Sequence, residues 1–521
     1  MNNRTAKMFN YAGYAILVVY SIFLFYRIYC VTDLLTDADI SSNMLYGKLL
    51  LDNKSLLLNN WYYSTFVDLI NIDKAYGFFF IFTDDWQLVH TLGIMLVYIL
   101  LLLSFFYVSS RLRLKYTPWI SLMIVGALSY DYYRYVVYFN IYAVYIIFTF
   151  LVIGLVLDVL NSEKRIHKLI LLGIVSFLSC TSGIRNITTI FLPLVAALIV
   201  MILAAKIKFY RFSEKNIKLL MLSIGVAFVF SVLGYIFNGY ISSIVGFTNY
   251  SVGLTSEPLK MFFTLFFDVL FKGWVGLFGV DGISVRSLIG LLFMVPTVFF
   301  SFYSLLKNRS DFVANFIILF FIFSACATSV VFFISTTNFE PRYLLQPFSV
   351  CFLIYGLFLN NWDYKQIVVS LVVIALFSAV STFVYIDNEV KDSENGDLIS
   401  FAEILNDKNI SEGYASYWNA NILSEFSDGK IEVWSFWLEN RLENLSSEEV
   451  SENGIDGKYL NEWLQLKSHM NSKPEEPFFM VLNNRFQSMF TDEFDKYVVY
   501  EGKTRKLLIF DTYYDFADIL P

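Results

Sequence analysis

The chain has 521 residues, 57% of them hydrophobic and only 16% charged, with a mean hydropathy of +0.58 and a net charge of −7. This composition, with many apolar runs of about 18 residues or more, excludes a soluble globular protein and predicts a polytopic helical membrane protein. The short alternating segments of a transmembrane β-barrel are missing. No basic face is concentrated outside the membrane-proximal loops, which disfavours nucleic acid as a partner.

Eleven spans are predicted in chain order, at roughly 9–31, 86–108, 118–134, 141–159, 168–182, 187–205, 219–238, 287–306, 312–335, 344–359 and 366–386, with ends good to a few residues. Arg4 and Lys7 precede the first run, which is too long for a signal peptide and lacks a small-residue cleavage pattern, so it reads as an uncleaved first helix. If the N-terminus is cytoplasmic, that side carries Arg4 and Lys7; Arg111, Arg113 and Lys115; Lys164, Arg165 and Lys168; Lys206, Lys208, Arg211, Lys215 and Lys218; Lys307 and Arg309; and Lys365. Against these bases stand Glu163, Glu214, Asp311 and Asp363, the imbalance expected of a cytoplasmic face. An odd number of spans then puts the C-terminal tail outside the cell membrane.

That tail differs in composition. Asp387 to Pro521 holds 27 Asp+Glu against 12 Lys+Arg, whereas the preceding residues hold 18 acids and 26 bases. Two domains follow: 1–386, a transmembrane part with long exterior loops at 32–85 and 239–286, and 387–521, an extracytoplasmic α/β domain. In the loops, Tyr76 to Phe82 is too short to cross, and Leu259 to Val280 is interrupted by Asp268 and Lys272; both read as interfacial or re-entrant pieces. In the tail, Asp387 to Gly396 reads as a polar linker, Ala402 to Leu405 as helix, Gly413 to Trp418 as strand and Asn421 to Phe426 as helix. Ile431 to Phe436 reads as strand, Glu439 to Glu452 as an acidic solvated loop or helix, and Tyr459 to Leu466 as helix. Phe478 to Leu482, Tyr497 to Tyr500 and Leu507 to Phe510 read as short strands. Cys30, Cys180, Cys326 and Cys351 fall in or at the ends of apolar runs as small packed residues. With His90, His167 and His469 scattered, no His/Cys zinc site is predicted.

The chemistry concentrates in the first exterior loop. Asp33, Asp37 and Asp39 follow a membrane-crossing helix directly, and carboxylates so near hydrocarbon point to function. The apolar pattern from Ile40 to Leu51 suits a surface helix with Asp39 as its N-cap. A carboxylate fixed there can deprotonate a hydroxyl, or bind a divalent cation that does so; cap and base are compatible roles.

A hydrophobic first helix, an acidic motif heading the first exterior loop, a surface helix and then Asn60-Trp61-Tyr62-Tyr63-Ser64-Thr65 resemble the GT-C superfamily of membrane glycosyltransferases, which includes protein O-mannosyltransferases and the aminoarabinose transferase of lipid A. The resemblance implies a loop Asp as catalytic base, with Asp39 the better match and Asp37 the second, and a sugar donor carried on a polyprenyl phosphate. Many relatives have adjacent Asp-Glu there, whereas Ala38 separates the two acids of this chain. It also implies a basic residue on the lipid phosphate: Arg342, in Phe339-Glu340-Pro341-Arg342-Tyr343, and Arg185, in Ser182-Gly183-Ile184-Arg185-Asn186. On the residues alone, Glu340 can instead pair with Arg342, and Arg185 can snorkel to the interface. Trp61, Tyr62, Tyr63, Tyr343 and Asp131, the last beside Tyr132, Tyr133, Arg134 and Tyr135, are the expected substrate-binding residues, although Tyr crowds every membrane interface. The aromatic, amide-rich stretch Tyr414 to Asn421 either covers the acceptor or packs as a strand. The expected function is transfer of a sugar from the polyprenyl-phosphate donor, at the membrane lipids' outer surface, to an envelope glycan, lipid or protein. The alternative is a transporter, flippase or non-catalytic assembly factor for lipid-linked glycans, a class in which internal repeats and mid-membrane ligand groups are usual.

Overall fold

The computed structural model describes residues 3–65, 67–162, 165–210, 212–247, 253–362, 364–436, 450 and 454–520. Among the described residues, nine helices are long and apolar enough to cross a membrane. They are α1 (Asn3–Leu35), α4 (Trp86–Leu112), α6 (Ile141–Asn161), α8 (Ile187–Lys206), α9 (Glu214–Ile244), α11 (Val285–Leu306), α12 (Phe312–Ile334), α13 (Pro341–Asn361) and α14 (Lys365–Asp392). The protein is a multi-pass helical membrane protein.

The other two predicted spans are shorter than continuous crossing helices, and each for a visible reason. In the third span, α5 (Thr117–Val125) stops at Gly126, where a Cβ would lie 2.7 Å from the Ser378 backbone; α14 passes that close, and the Ala127 N–H donates to the Ser378 carbonyl. The chain resumes as a helical turn, Tyr130–Tyr132, and a π-helical stretch, Tyr133–Tyr138. This broken segment still runs the length of α1. Near one end, the Asn10 amide donates to the Lys115 carbonyl at 2.7 Å; at the other, Arg134 meets Asp37 at 2.9 Å. The fifth span, α7 (Arg165–Cys180), has Lys168 on Asp158 at one end, while past the other the Asn238 amide donates to the Thr181 carbonyl. Asp158 also holds Arg111, so basic residues expected to face the cytoplasm gather at one end of the bundle.

The opposite end carries the loops and the C-terminal domain. Loop 32–85 forms α2 (Ala38–Asp52) and α3 (Ile72–Phe79), which cross where a Cβ on Gly47 would meet the Asp73 carbonyl at 2.6 Å. The Leu259–Val280 region forms α10 (Pro258–Phe267), which buries no residue, followed by a π-helical turn.

The C-terminal domain is a five-stranded sheet in the order β2-β1-β3-β5-β4, with β1 (Glu412–Ser416), β2 (Glu432–Phe436) and β3 (Phe478–Asn483) parallel, and β5 (Arg505–Phe510) antiparallel to both β3 and β4 (Val498–Glu501). Strand alternation explains its two apolar layers. Phe478, Met480 and Leu482 pack with Tyr513 and Phe516 of α17 (Tyr513–Asp518). Phe479 and Val481 face Leu398, Phe401 and Leu405 of α15 (Asn395–Lys408) and Ala420 and Leu423 of α16 (Tyr417–Phe426).

Two expectations for the tail are corrected. Asp387–Gly396 is no linker: α14 stays helical to Asp392, because its polar end is paired, Asp387 with Arg27 at 2.7 Å and Glu389 with Arg134 at 2.5 Å. Tyr459–Leu466 is no helix either. After a single 3₁₀ turn, Gly457–Tyr459, its backbone bonds the first exterior loop: the Tyr62 N–H donates to the Gln465 carbonyl, and the Leu464 N–H to the Tyr62 carbonyl. The Glu439–Glu452 stretch lies outside the described residues apart from Val450.

Candidate active site

The chain leaves α1 at Leu35 and re-enters helix at Ala38, so the N-cap of α2 is Asp37, not Asp39 as expected. The Asp37 carboxylate is saturated. Its Oδ1 accepts from the N–H groups of Asp39 and Ile40 at 3.0 and 3.1 Å, and its Oδ2 accepts from Arg134 at 2.9 Å. Burial, and then the charge of Asp39, push Asp37 above the usual carboxylate range, against the pull of Arg134. Asp39 sits in the first turn, where the helix dipole favours negative charge. Its Oδ1 accepts from the Tyr417 phenol at 2.5 Å, and its Oδ2 has no partner among the described residues. Burial, reinforced by Asp39, raises Tyr417 well above an ordinary phenol, so it stays a donor.

The C-terminal domain holds this acidic turn with one stripe of α16. Positions i, i+4 and i+8 of a helix share a face. Tyr417 reaches Asp39, the Asn421 amide donates to the Ser42 hydroxyl at 2.6 Å, and Glu425 accepts from the hydroxyls of Ser41 at 2.6 Å and Thr36 at 3.2 Å. Glu425 also meets His90 Nδ1 of α4 at 2.9 Å, both side chains buried.

Arg134 connects the acidic turn to the cations. It is gripped by Asp37, Glu389 and the Tyr130 hydroxyl, and the next residue, Tyr135, accepts from Arg342 at 3.1 Å. Arg342 lies over the rings of Tyr135 and Tyr343 at 5.1 and 5.6 Å. Arg185 is caged by Tyr142 and Tyr145, each at 4.9 Å, and by the same Tyr343 at 5.4 Å. The two arginines thus converge on one ring. Among the described residues neither has a carboxylate in ion-pair range, so the alternative pairing of Glu340 with Arg342 does not form. Asp131 lies within electrostatic reach of Arg342 and Glu340.

A polar recess opens between α2 and the 61–73 loop. Ser42, Asn43 and Tyr46 form one wall; Trp61, Tyr63, Ser64, Asp68, Asn71 and Asp73 form the other, with Leu464 closing it. Trp61 is buried against Tyr46, and the Tyr46 and Tyr63 hydroxyls bond at 2.9 Å. Tyr62 faces away, its ring under the Lys467 ammonium at 5.8 Å. The Asn71 amide donates to Asp68 at 3.0 Å, and Asp73 pairs with Lys74. Burial and then the Asp73 charge push Asp68 up to about 7, opposed by the Ser182 hydroxyl, Lys74 and Arg185. The recess therefore lies in the field of Arg185.

That shift fixes a pH dependence. Asp68 binds its proton more tightly folded (about 7) than unfolded (near 3.9), so its contribution to stability is greatest at low pH and is lost as pH rises from about 4 to 7. Arg185→Met removes a charge that lowers Asp68 and is expected to extend the decline above pH 7. Asp68→Asn should make it shallower, leaving the share that Asp37 contributes. Melting midpoints between pH 4 and 9 for the three proteins test this, and an unchanged slope in Asp68→Asn would refute it.

Sequence reasoning placed Asp39, Asp37, Arg185, Arg342 and Tyr343 at this end but missed Tyr417, Glu425 and His90 as partners of the acidic turn. Only the Tyr414–Asn421 stretch hinted at them. Asp37 is spent on Arg134 and backbone N–H groups, and among the described residues no three His, Cys, Asp or Glu side chains group to hold a metal.

No family model and no curated protein matches the sequence. Solved structures do match. ArnT from Cupriavidus metallidurans in the apo state superposes with a TM-score of 0.58 at 10% identity, over 97% of this chain and 98% of that one. The same protein bound to undecaprenyl phosphate gives 0.60 at 12% identity, over 95% and 97%. Membrane helices and C-terminal sheet domain alike lie within that overlap, and the chain has an ArnT-like fold.

Proposed function

We propose that the protein is a lipid-linked glycosyltransferase that moves a sugar from a polyprenyl-phosphate donor to an envelope acceptor on the extracytoplasmic face, its N-terminus in the cytoplasm. The observation that carries this is the grouping of Asp39, with one oxygen open, and two arginines without ion-pair partners among the described residues, around one end of an ArnT-like bundle. Asp39 takes the proton of the acceptor hydroxyl as its oxygen bonds C1 of the sugar. The bond from C1 to the phosphate oxygen breaks with its electron pair, and Arg185 and Arg342 stabilise the departing polyprenyl phosphate. Tyr343 orients both guanidinium groups, and the recess walled by Trp61, Tyr63 and Asp68 holds the sugar. The transporter alternative is disfavoured because the ionised groups sit at the ends of the bundle rather than at mid-membrane.

The test uses purified protein in liposomes with a polyprenyl-phosphate sugar. Release of polyprenyl phosphate that depends on added envelope glycan supports transfer; donor counterflow without acceptor supports the transporter instead. Arg185→Met and Arg342→Met are each expected to raise the donor KM about 10- to 100-fold, the worth of a charge-assisted hydrogen bond. Unchanged donor KM in the double variant would defeat the phosphate-binding role.

A further inference from the structure

The stretch Tyr414–Asn421 divides sharply by what its side chains do. Tyr414 is buried within the sheet domain's apolar core. Asn419 accepts from Arg505 and donates to Ser416, and Asn421 is held by Ser42 and the Leu464 carbonyl. Trp418 is different: it is 55% exposed, while Tyr417 and Asn419 on either side are at most 3% exposed. Its ring meets the Tyr417 ring edge-on at 5.1 Å and 73°, and the Tyr417 hydroxyl is the one on Asp39. From a separate segment, the half-buried Trp463 hydrogen-bonds the Tyr417 side chain as well. Two indoles thus flank the phenol that covers Asp39.

We propose that Trp418 is the platform of an acceptor subsite for a carbohydrate. A pyranose ring lies against the indole face, and one of its hydroxyls reaches the open oxygen of Asp39, beside the Tyr417 phenol. The inference rests on the assignment of Asp39 as base and adds the class of acceptor to it. Several features favour a sugar. A rigid indole offers a broad apolar face at low entropic cost. Tyr417 fixes that face beside the base. A bilayer anchor would instead need apolar neighbours exposed with it, and Trp418 is the one residue of α16 that is exposed apart from the buried or half-buried rest.

Saturation-transfer NMR on the full chain in nanodiscs, with methyl glucopyranoside, galactopyranoside and mannopyranoside as probes, tests the assignment by binding alone. Wild type and Asp39→Asn are expected to saturate the ring protons of at least one probe. Trp418→Ala should bind about five- to tenfold more weakly, with Trp418→Phe recovering most of the loss. A melting midpoint for Trp418→Ala equal to that of Trp418→Phe establishes that the fold is intact. Equal saturation in wild type and Trp418→Ala, or none in wild type, overturns the proposal. So does a share of the tryptophan quenching by brominated lipid that is lost in Trp418→Phe, which would assign the residue to the bilayer. Because the readout is binding, an Asp39→Asn protein that still transfers sugar would sink the base assignment without deciding this one.

Discussion

An Asp39→Asn protein is expected to insert, fold and bind donor as wild type does, and to lose about 10²–10⁴-fold in acceptor-dependent turnover, the usual contribution of a positioned general base. The amide keeps the shape of the carboxylate and can still accept from Tyr417 through its carbonyl oxygen, so the α16 contact survives while the proton acceptor is lost. Asp37→Asn should behave otherwise. Asn keeps the cap of α2 through its carbonyl oxygen but loses the charge that holds Arg134, so the variant is expected to lower stability through the lost ion pair, and to affect turnover only through the position of the turn. The two variants should separate cleanly when melting midpoint and turnover are measured on the same preparations. Full turnover in Asp39→Asn would remove the base; abolished turnover with unchanged stability in Asp37→Asn would move the role two residues upstream.

Much of this was legible in the sequence for simple physical reasons. An apolar run of some twenty residues has few alternatives to a crossing helix, and the predicted ends fall within a few residues of α4, α6, α11 and α12. The strands at 478–482 and 507–510 were legible because β-branched and aromatic residues cluster there. What failed depended on partners distant in the chain. The break at Gly126 exists because Ser378 passes against it, and nothing local to 118–134 encodes that. The acidic end of α14 looked like a linker because Arg27 and Arg134, which neutralise it, lie hundreds of residues earlier. The cap of α2 was misassigned by two residues because Asp37 and Asp39 are both good caps, and the length of the break after α1 decides between them. In the site, the arginines were legible from their place at the outer ends of apolar spans and from the family resemblance. Glu425 was not, since one acid in an acidic tail carries no signal until its burial against His90 is known.

Glu425→Ala is expected to be the most destabilising single change at the junction of bundle and C-terminal domain, by about 3–5 kcal/mol. A carboxylate removed from water costs several kcal/mol unless its oxygens are satisfied. Here three donors do so: Ser41 and Thr36 on one oxygen and His90 on the other, with the Glu425 side chain only 4% exposed. Truncation leaves those donors facing a void, and because Thr36 and Ser41 bracket both Asp37 and Asp39, the acidic turn should lose its fixed register. Glu425→Gln retains an acceptor oxygen but must turn its NH₂ toward at least one donor, so a smaller loss of about 1–3 kcal/mol is expected. Hydrogen exchange distinguishes undocking from unfolding. In Glu425→Ala, protection should fall in residues 36–42 and in α16, while β3 and β5, which pair with each other in the core of the sheet, keep theirs. Protection lost uniformly across the sheet would mean that Glu425 supports the domain itself. Wild-type protection throughout would mean that the stripe of Tyr417 and Asn421 holds the turn without it, and that the buried carboxylate has no part in presenting Asp39 to its substrate.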